Sequence, residues 1–225
     1  MADTPMDARP FIPPTRSLKR LSEAVEDCRG CPLYRNATHG VFGEGRAASR
    51  VLIVGEQPGD QEDRAGKPFV GPAGGVLDRA LEAAGIARAD VFVTNAVKHF
   101  KWEPRGKRRI HQTPRWSEVK ACRPWLEEEL ARVKPDVVVA LGSTAAQSLM
   151  GSQFRVLKNR GKVHKVVGTG FSLSSPAPGV VVSIHPSAVL RAPDKEAREA
   201  NYRMLVADLK LARRYLERRN VNGKS

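Results

Sequence analysis

The chain has 225 residues with 41% apolar content, enough for a single domain with a real core. Thirty-eight Lys and Arg against 24 Asp and Glu leave a net charge of +14, spread along the chain and beyond what solubility requires, so a polyanion partner is expected, nucleic acid before membrane. No window approaches the ~18 continuous apolar residues of a membrane span, and the first residues lack the apolar core of a signal peptide, so a cytoplasmic protein without membrane partners is expected.

Residues 1–15 carry Pro5, Pro10, Pro13 and Pro14 among few core formers and read as a disordered leader; residues 221–225 read as a frayed tail, with one domain over 16–220. A helix over about 16–27 precedes "CRGC". "RVLIVGE" (50–56) is a fully apolar strand, followed by a Gly/Pro-rich loop and the helix "AGGVLDRALEAAG". "VFVTNAV" (91–97) is the next strand. After a long basic loop, residues 117–133 form a helix with Ser117 as N-cap and Lys134-Pro135 as its stop. "DVVVALG" (136–142) and "GVVVSIHP" (179–186) are two more strands, separated by a short helix from Ser143 and a hairpin around "KVHKVVGTG". A helix from about Asp194 to Arg219 closes the chain.

Strands that are continuously apolar rather than alternating belong to a parallel sheet covered on both faces. The fold class is therefore α/β, a three-layer α/β/α sandwich around a mostly parallel, four-stranded sheet. In such sheets ligands bind at the carboxyl ends of the strands, which selects "GEQPGD", Asn95, "GST" and "HPS". Each is weak alone. The glycine turn lacks both the Rossmann spacing and a Walker lysine, Asn95 can close a turn, and His185 can cap a strand.

Taken in order, "GEQPG", "EDRAGKPFVGPAG", "TNAVK" and "HPS" resemble the uracil-DNA glycosylase superfamily, most closely its iron-sulfur branch, family 4. The resemblance runs from about Cys28 to the final helix. It implies a monomer acting on uracil-containing DNA, single- or double-stranded, by cleaving the bond between uracil N1 and deoxyribose C1′. Such a site must stabilise an anionic base and a cationic sugar together. By this resemblance Glu56 stands beside C1′, His185 donates to uracil O2, Phe69 stacks on the extruded base, and Asn95 pairs with N3–H and O4, which distinguishes uracil from cytosine. Gln57 and Asp60 are candidates for rejecting thymine's methyl group. Lys107 and the stretch from Ser187 to Arg191 are the expected DNA contacts, while Arg109 either contacts a flanking phosphate or orients the loop.

Cys28 and Cys31 form a CxxC, and Cys122 lies far downstream; three thiols make no complete disulfide set, so a four-coordinate metal site is the better reading. The branch holds a [4Fe-4S] cluster with four cysteines, the third just after an "NxxK" element. Here that stretch is "NAVKHF", which puts His99 in place of the cysteine and implies a Cys28, Cys31, His99, Cys122 set. Zinc is the alternative by ligand count.

The basic stretch "KRRIHQTPR" (107–115) departs from ordinary members of the branch and resembles the UdgX type, in which a histidine on this loop joins DNA covalently. A neutral imidazole aimed at C1′ can capture the sugar in place of water. Three function classes follow: a self-trapping glycosylase using His111, a multiple-turnover glycosylase in which His111 only touches DNA, and a non-catalytic iron-sulfur DNA-binding protein.

Overall fold

The computed structural model describes residues 6–165 and 177–222. Helix α1 (Leu18–Ala24) leads to strand β1 (Val51–Gly55), the short α2 (Asp60–Ala65), α3 (Pro72–Ala84) and β2 (Val91–Asn95). A two-stranded ribbon follows, β3 (Trp102–Arg105) and β4 (Arg108–His111), then α4 (Trp116–Val133), β5 (Val137–Leu141), α5 (Ser143–Met150) and α6 (Val156–Asn159). The chain closes with β6 (Val163–Lys165), β7 (Gly179–Ser183), α7 (Pro186–Leu190) and α8 (Lys195–Asn222).

The sheet runs β2-β1-β5-β7-β6, so it has five strands rather than four; the first four are parallel and β6 joins β7 antiparallel. β6 is the described part of the expected hairpin; the rest lies outside the described residues. Every residue of β1, β2, β5 and β7 is buried. Alternate residues feed two cores. Leu52, Val54, Phe92, Val138 and Val180 pack with α1, α4 and α5, while Val51, Ile53, Val91, Val139 and Val181 pack with α3, α7 and α8. Full burial of each such side chain contributes about 1.5–3 kcal/mol, and the two-sided pattern is what makes a three-layer sandwich. From β1 the chain runs to β2 on one side and later to β5 on the other, so the order reverses at β1, where an α/β sheet opens a crevice.

Three expectations shift. Arg115, not Ser117, caps α4, because Glu118 turns back to accept the Arg115 N–H at 2.6 Å. Part of the supposed leader packs on the domain: Ala8 is buried and its N–H donates to the Ala121 carbonyl at 3.0 Å, while Arg132 donates to the Thr15 carbonyl. Pro10 sits in a 3-10 turn, Arg9–Phe11, within this strap. Helix α8 runs through Asn222, into the expected tail. Among the described residues no helix is long and apolar enough to cross a membrane.

Candidate active site

The carboxyl ends of β1, β2, β5 and β7 surround a cleft of about 670 Å3 lined by Glu56, Gln57, Phe69, Asn95, His111, Thr144, His185, Ser187 and Arg191, among others. Most of the residues singled out in the sequence therefore meet, although they span 136 positions of chain from Glu56 to Arg191. Exposure grades across the cleft: Asn95 is buried, the Glu56 side chain is 23% exposed and the His111 side chain 48%. The amide lies deepest and the imidazole of His111 at the rim.

Glu56 follows the last residue of β1. Its Oε2 accepts a hydrogen bond from Thr144 Oγ1 in the first turn of α5, and its Oε1 stands 3.3 Å from His111 Nε2. Burial pushes its pKa up, but the bonds from His111 and Thr144, with the charges of His111 and His185, outweigh burial and hold it below the ordinary value. The carboxylate is thus ionised and oriented at both oxygens. Thr144 belongs to the "GST" that the strand-end rule selects, but its bond to Glu56, 88 positions away, has no signature in the sequence.

His185 accepts the Ser187 N–H on Nδ1 at 3.2 Å, with Ser187 Oγ at 2.8 Å from the same nitrogen. A backbone N–H only donates, so in the neutral ring the proton sits on Nε2, leaving that N–H as the free donor. Burial lowers its pKa to about 4, with Arg191 and His111 adding to the effect and Glu56 opposing it. At neutral pH the group is an uncharged donor.

Phe69 adopts φ 57, a left-handed conformation that a bulky side chain rarely takes, and its ring lies 6.3 Å from that of His185 at an interplanar angle of 27°. Two glycines make room. A Cβ on Gly74 would meet the Phe69 carbonyl oxygen at 1.8 Å, and one on Gly55 would meet Asn95 Oδ1 at 2.4 Å and the Phe69 ring at 2.8 Å. Glu62, which opens "EDRAGKPFVGPAG" but had no role assigned from sequence, ties the two loops together by accepting the N–H groups of Gly59 (3.1 Å) and Gly71 (2.7 Å). Beneath Asn95, the fully buried Lys98 donates to the Asn95 carbonyl at 2.8 Å, to Thr94 Oγ1 at 2.6 Å and to Glu129 at 2.7 Å.

The basic loop is a ribbon. Arg105 and Arg108 pair across a two-residue turn with Gly106 at φ 60, and His111 pairs with Trp102. Arg109 and His111 share a face of β4, and both approach Phe100, the guanidinium at 5.4 Å and the imidazole at 6.0 Å from its ring centre. Gln57 anchors the base of the ribbon: its amide donates to the carbonyls of Lys101 and Gln112 and accepts the Lys101 N–H at 3.0 Å.

Two of the singled-out residues stand outside the cleft. Asp60 does not line the cleft; its carboxylate is taken up by Arg64 at 3.0 Å and by Arg109, because the first turn of α2 carries it away from the base site. Of the two readings of Arg109, phosphate contact and loop orientation, its bonds favour the second: it is 13% exposed and bound to Asp60, to Asp63 at 2.6 Å and to Thr38, so it holds the ribbon to α2. Lys107 at the ribbon turn and Arg191 beside the cleft are exposed.

Cys28, Cys31 and Cys122 are free and buried. Trp125 Nε1–H donates to Cys28 Sγ and the Lys98 N–H to Cys122 Sγ, both at 3.2 Å. Burial raises the Cys31 thiol to about 11 and raises Cys122 as well, with the neighbouring cysteines adding in each case. His99 is buried, and its pKa is lowered to about 4 by burial first and Arg29 second, against Asp63. Among the described residues no three His, Cys, Asp or Glu side chains stand together as a metal-holding group. N–H donors on two of the three buried sulfurs are nonetheless the kind of contact that suits thiolates, whose charge they offset.

The fold and cleft define an α/β protein whose crevice, at the reversal of strand order, combines a carboxylate, a neutral imidazole donor, a buried amide and an aromatic ring. Residues 42–210 match the family model of the uracil DNA glycosylase superfamily, and the chain belongs to that superfamily. It is 39% identical over 176 residues to the Type-4 uracil-DNA glycosylase of Pyrobaculum aerophilum, covering 78% of this chain and 86% of that protein. Its identity to the Type-4 uracil-DNA glycosylase of Thermotoga maritima is 36% over 199 residues, covering 88% and 94%. A Type-5 uracil-DNA glycosylase of Pyrobaculum aerophilum is 32% identical over 154 residues, 62% of either chain.

Proposed function

We propose that the protein excises uracil from DNA and remains attached, through His111, to C1′ of the abasic sugar. The observation that carries this reading is the approach of His111 Nε2 to Glu56 Oε1, 3.3 Å, at the rim of the cleft. In the reaction the N1–C1′ bond breaks and its electron pair leaves with uracil, while positive charge builds on the sugar. His185 donates from Nε2 to uracil O2, Asn95 pairs with N3–H and O4, and Phe69 stacks on the ring. With its side chain committed to the ribbon, Gln57 meets the base through its backbone. Glu56 offsets the sugar's charge and takes the Nε2 proton as that nitrogen bonds C1′; the proton then passes through solvent to the uracil anion. The new N-glycosidic bond resists hydrolysis, so each molecule acts once.

The protein acts as a monomer on single- or double-stranded DNA, with Lys107, Ser187 and Arg191 as backbone contacts and the exposed Leu190 of α7 as a wedge. Cys28, Cys31, His99 and Cys122 hold a [4Fe-4S] cluster that clamps the N-terminal region to α4; the chemistry needs no electrons from it, and zinc is the competing occupant. Reduced thiols suit a cytoplasmic setting.

The test mixes the protein with a uracil-containing oligonucleotide on a denaturing gel. A retarded band that survives heat and detergent is expected, and His111→Ser should abolish it while releasing abasic product in excess of protein, because water enters the vacated space. If His111 only touches phosphate, the variant binds more weakly and with greater salt sensitivity, and its product keeps the parent's kind. A stable adduct formed by His111→Ser sinks the covalent reading.

A further inference from the structure

Leu157 is the most exposed large apolar side chain among the described residues, at 74%, yet its neighbour Val156 is buried and lines the cleft. An exposed leucine alone means little. This one stands in an unusual setting. Residues 151–193 contain six Lys and Arg and no Asp or Glu. Arg155, Lys158 and Lys162 are exposed, and among the described residues no carboxylate pairs with them, whereas Arg160 nearby is bound to Asp208 at 3.1 Å.

The short helix α6 is also braced at both ends. Asn159 Nδ2 donates to the Arg155 carbonyl at 2.8 Å, the Asn159 carbonyl lies 2.8 Å from His164 Nε2, and the His164 ring meets Phe154 edge-on at 5.2 Å. Arg160 fastens the C-terminal end to α8 by donating to the Met204 carbonyl at 3.0 Å. Leu157 is therefore an apolar prong on a braced helix, flanked in the chain by exposed cations that pair with no carboxylate among the described residues, and one residue from the wall of the cleft.

We propose that Leu157 is a second wedge, which packs against the base stack beside the extruded nucleotide while Arg155, Lys158 and Lys162 hold the adjoining phosphates. The assignment rests on the reading that the cleft takes a base out of DNA. Opening a duplex costs unstacking energy, and an apolar side chain that replaces the lost stack lowers that cost. The cations select DNA over a protein partner, since a phosphate backbone supplies the negative charge that residues 151–193 lack.

The full-length protein with photoreactive benzoylphenylalanine at position 157, bound to uracil DNA and irradiated, should crosslink to nucleotides flanking the uracil. Leu157→Ala should slow uracil release from duplex on the order of tenfold, because part of the unstacking cost is then no longer offset by the wedge, and slow release from single strands less. Inhibition by free uracil should be unchanged. A protein that binds DNA without crosslinking at 157, or a variant with equal rates or equal losses on both substrates, overturns the proposal and leaves the leucine to a protein contact. A parent protein that binds DNA but excises nothing refutes the catalytic reading, while the crosslink still decides Leu157. A parent that does not bind DNA overturns both.

Discussion

Arg109→Ala removes the link between the ribbon that carries His111 and helix α2. Asp63 is fully buried and keeps only its bonds from the Thr38 N–H, at 2.9 and 3.1 Å, once the guanidinium is gone. Breaking a buried pair from one side typically costs about 3–5 kcal/mol, whereas the half-exposed Asp60 pair adds less than about 1. The Arg109 side chain is slightly exposed, so the low end applies, about 3 kcal/mol. For a domain of this size that lowers Tm by roughly 6–12 °C. The same loss frees β4, so the fraction of product held as adduct should fall relative to free abasic DNA. Arg109→Lys keeps the charge without the fork and should lie between the two. Thermal melting and a denaturing gel read both effects. A melting point within about 1 °C of the parent, with an unchanged adduct fraction, would refute the argument that this arginine holds the ribbon.

Glu56→Gln should suppress excision and adduct together by about 100-fold or more, because both need the same bond broken; trapping at the parent's rate would remove Glu56 from its assigned role. Thr144→Val deletes a hydrogen bond that lowers the Glu56 pKa, so the acid limb of the rate profile should move to higher pH. An unmoved limb would leave Thr144 as packing alone. The purified protein should be brown, with broad absorbance near ~400 nm, and a colourless anaerobic preparation carrying stoichiometric zinc would replace the cluster assignment.

The central strands were legible because five consecutive buried residues in each of β1, β2, β5 and β7 write their burial directly into the sequence. The cleft followed from them, since Glu56, Asn95 and His185 sit at or just beyond strand ends. The ribbon was not legible. "WEPR" and "RRIH" have no apolar alternation, and what holds β4 is Arg109 reaching Asp63, 46 residues back in the chain. The same long-range bond explains Asp60, whose place in "GEQPGD" matched the base site while its carboxylate served Arg109 instead. The N-terminal strap was hidden in another way. Its prolines look like a leader, and what fixes where it lies are long-range bonds, from Ala8 to the Ala121 carbonyl and from Arg132 to the Thr15 carbonyl.

His185 supplies a test that separates the folded site from its unfolded parts. In the unfolded chain its pKa is the ordinary 6.5, and in the folded protein burial lowers it to about 4 against the attraction of Glu56. Between those values the unfolded state holds the extra proton, so stability rises with pH. The contribution is complete above 6.5 and is lost as pH falls towards 4, a change on the order of 3 kcal/mol. His185→Gln cannot titrate, so between pH 4.5 and 6 its stability should climb less steeply than the parent's, by up to about 1.4 kcal/mol per pH unit in urea denaturation. The same neutrality governs the chemistry. In a His111→Ser background, where product is released, uracil excision should show no inflection near 6.5 attributable to His185, because the ring is already an uncharged donor there. An inflection at 6.5 that disappears in His185→Gln would mean that the imidazole titrates as if exposed, and the assignment of a neutral Nε2–H donor to uracil O2 would fall.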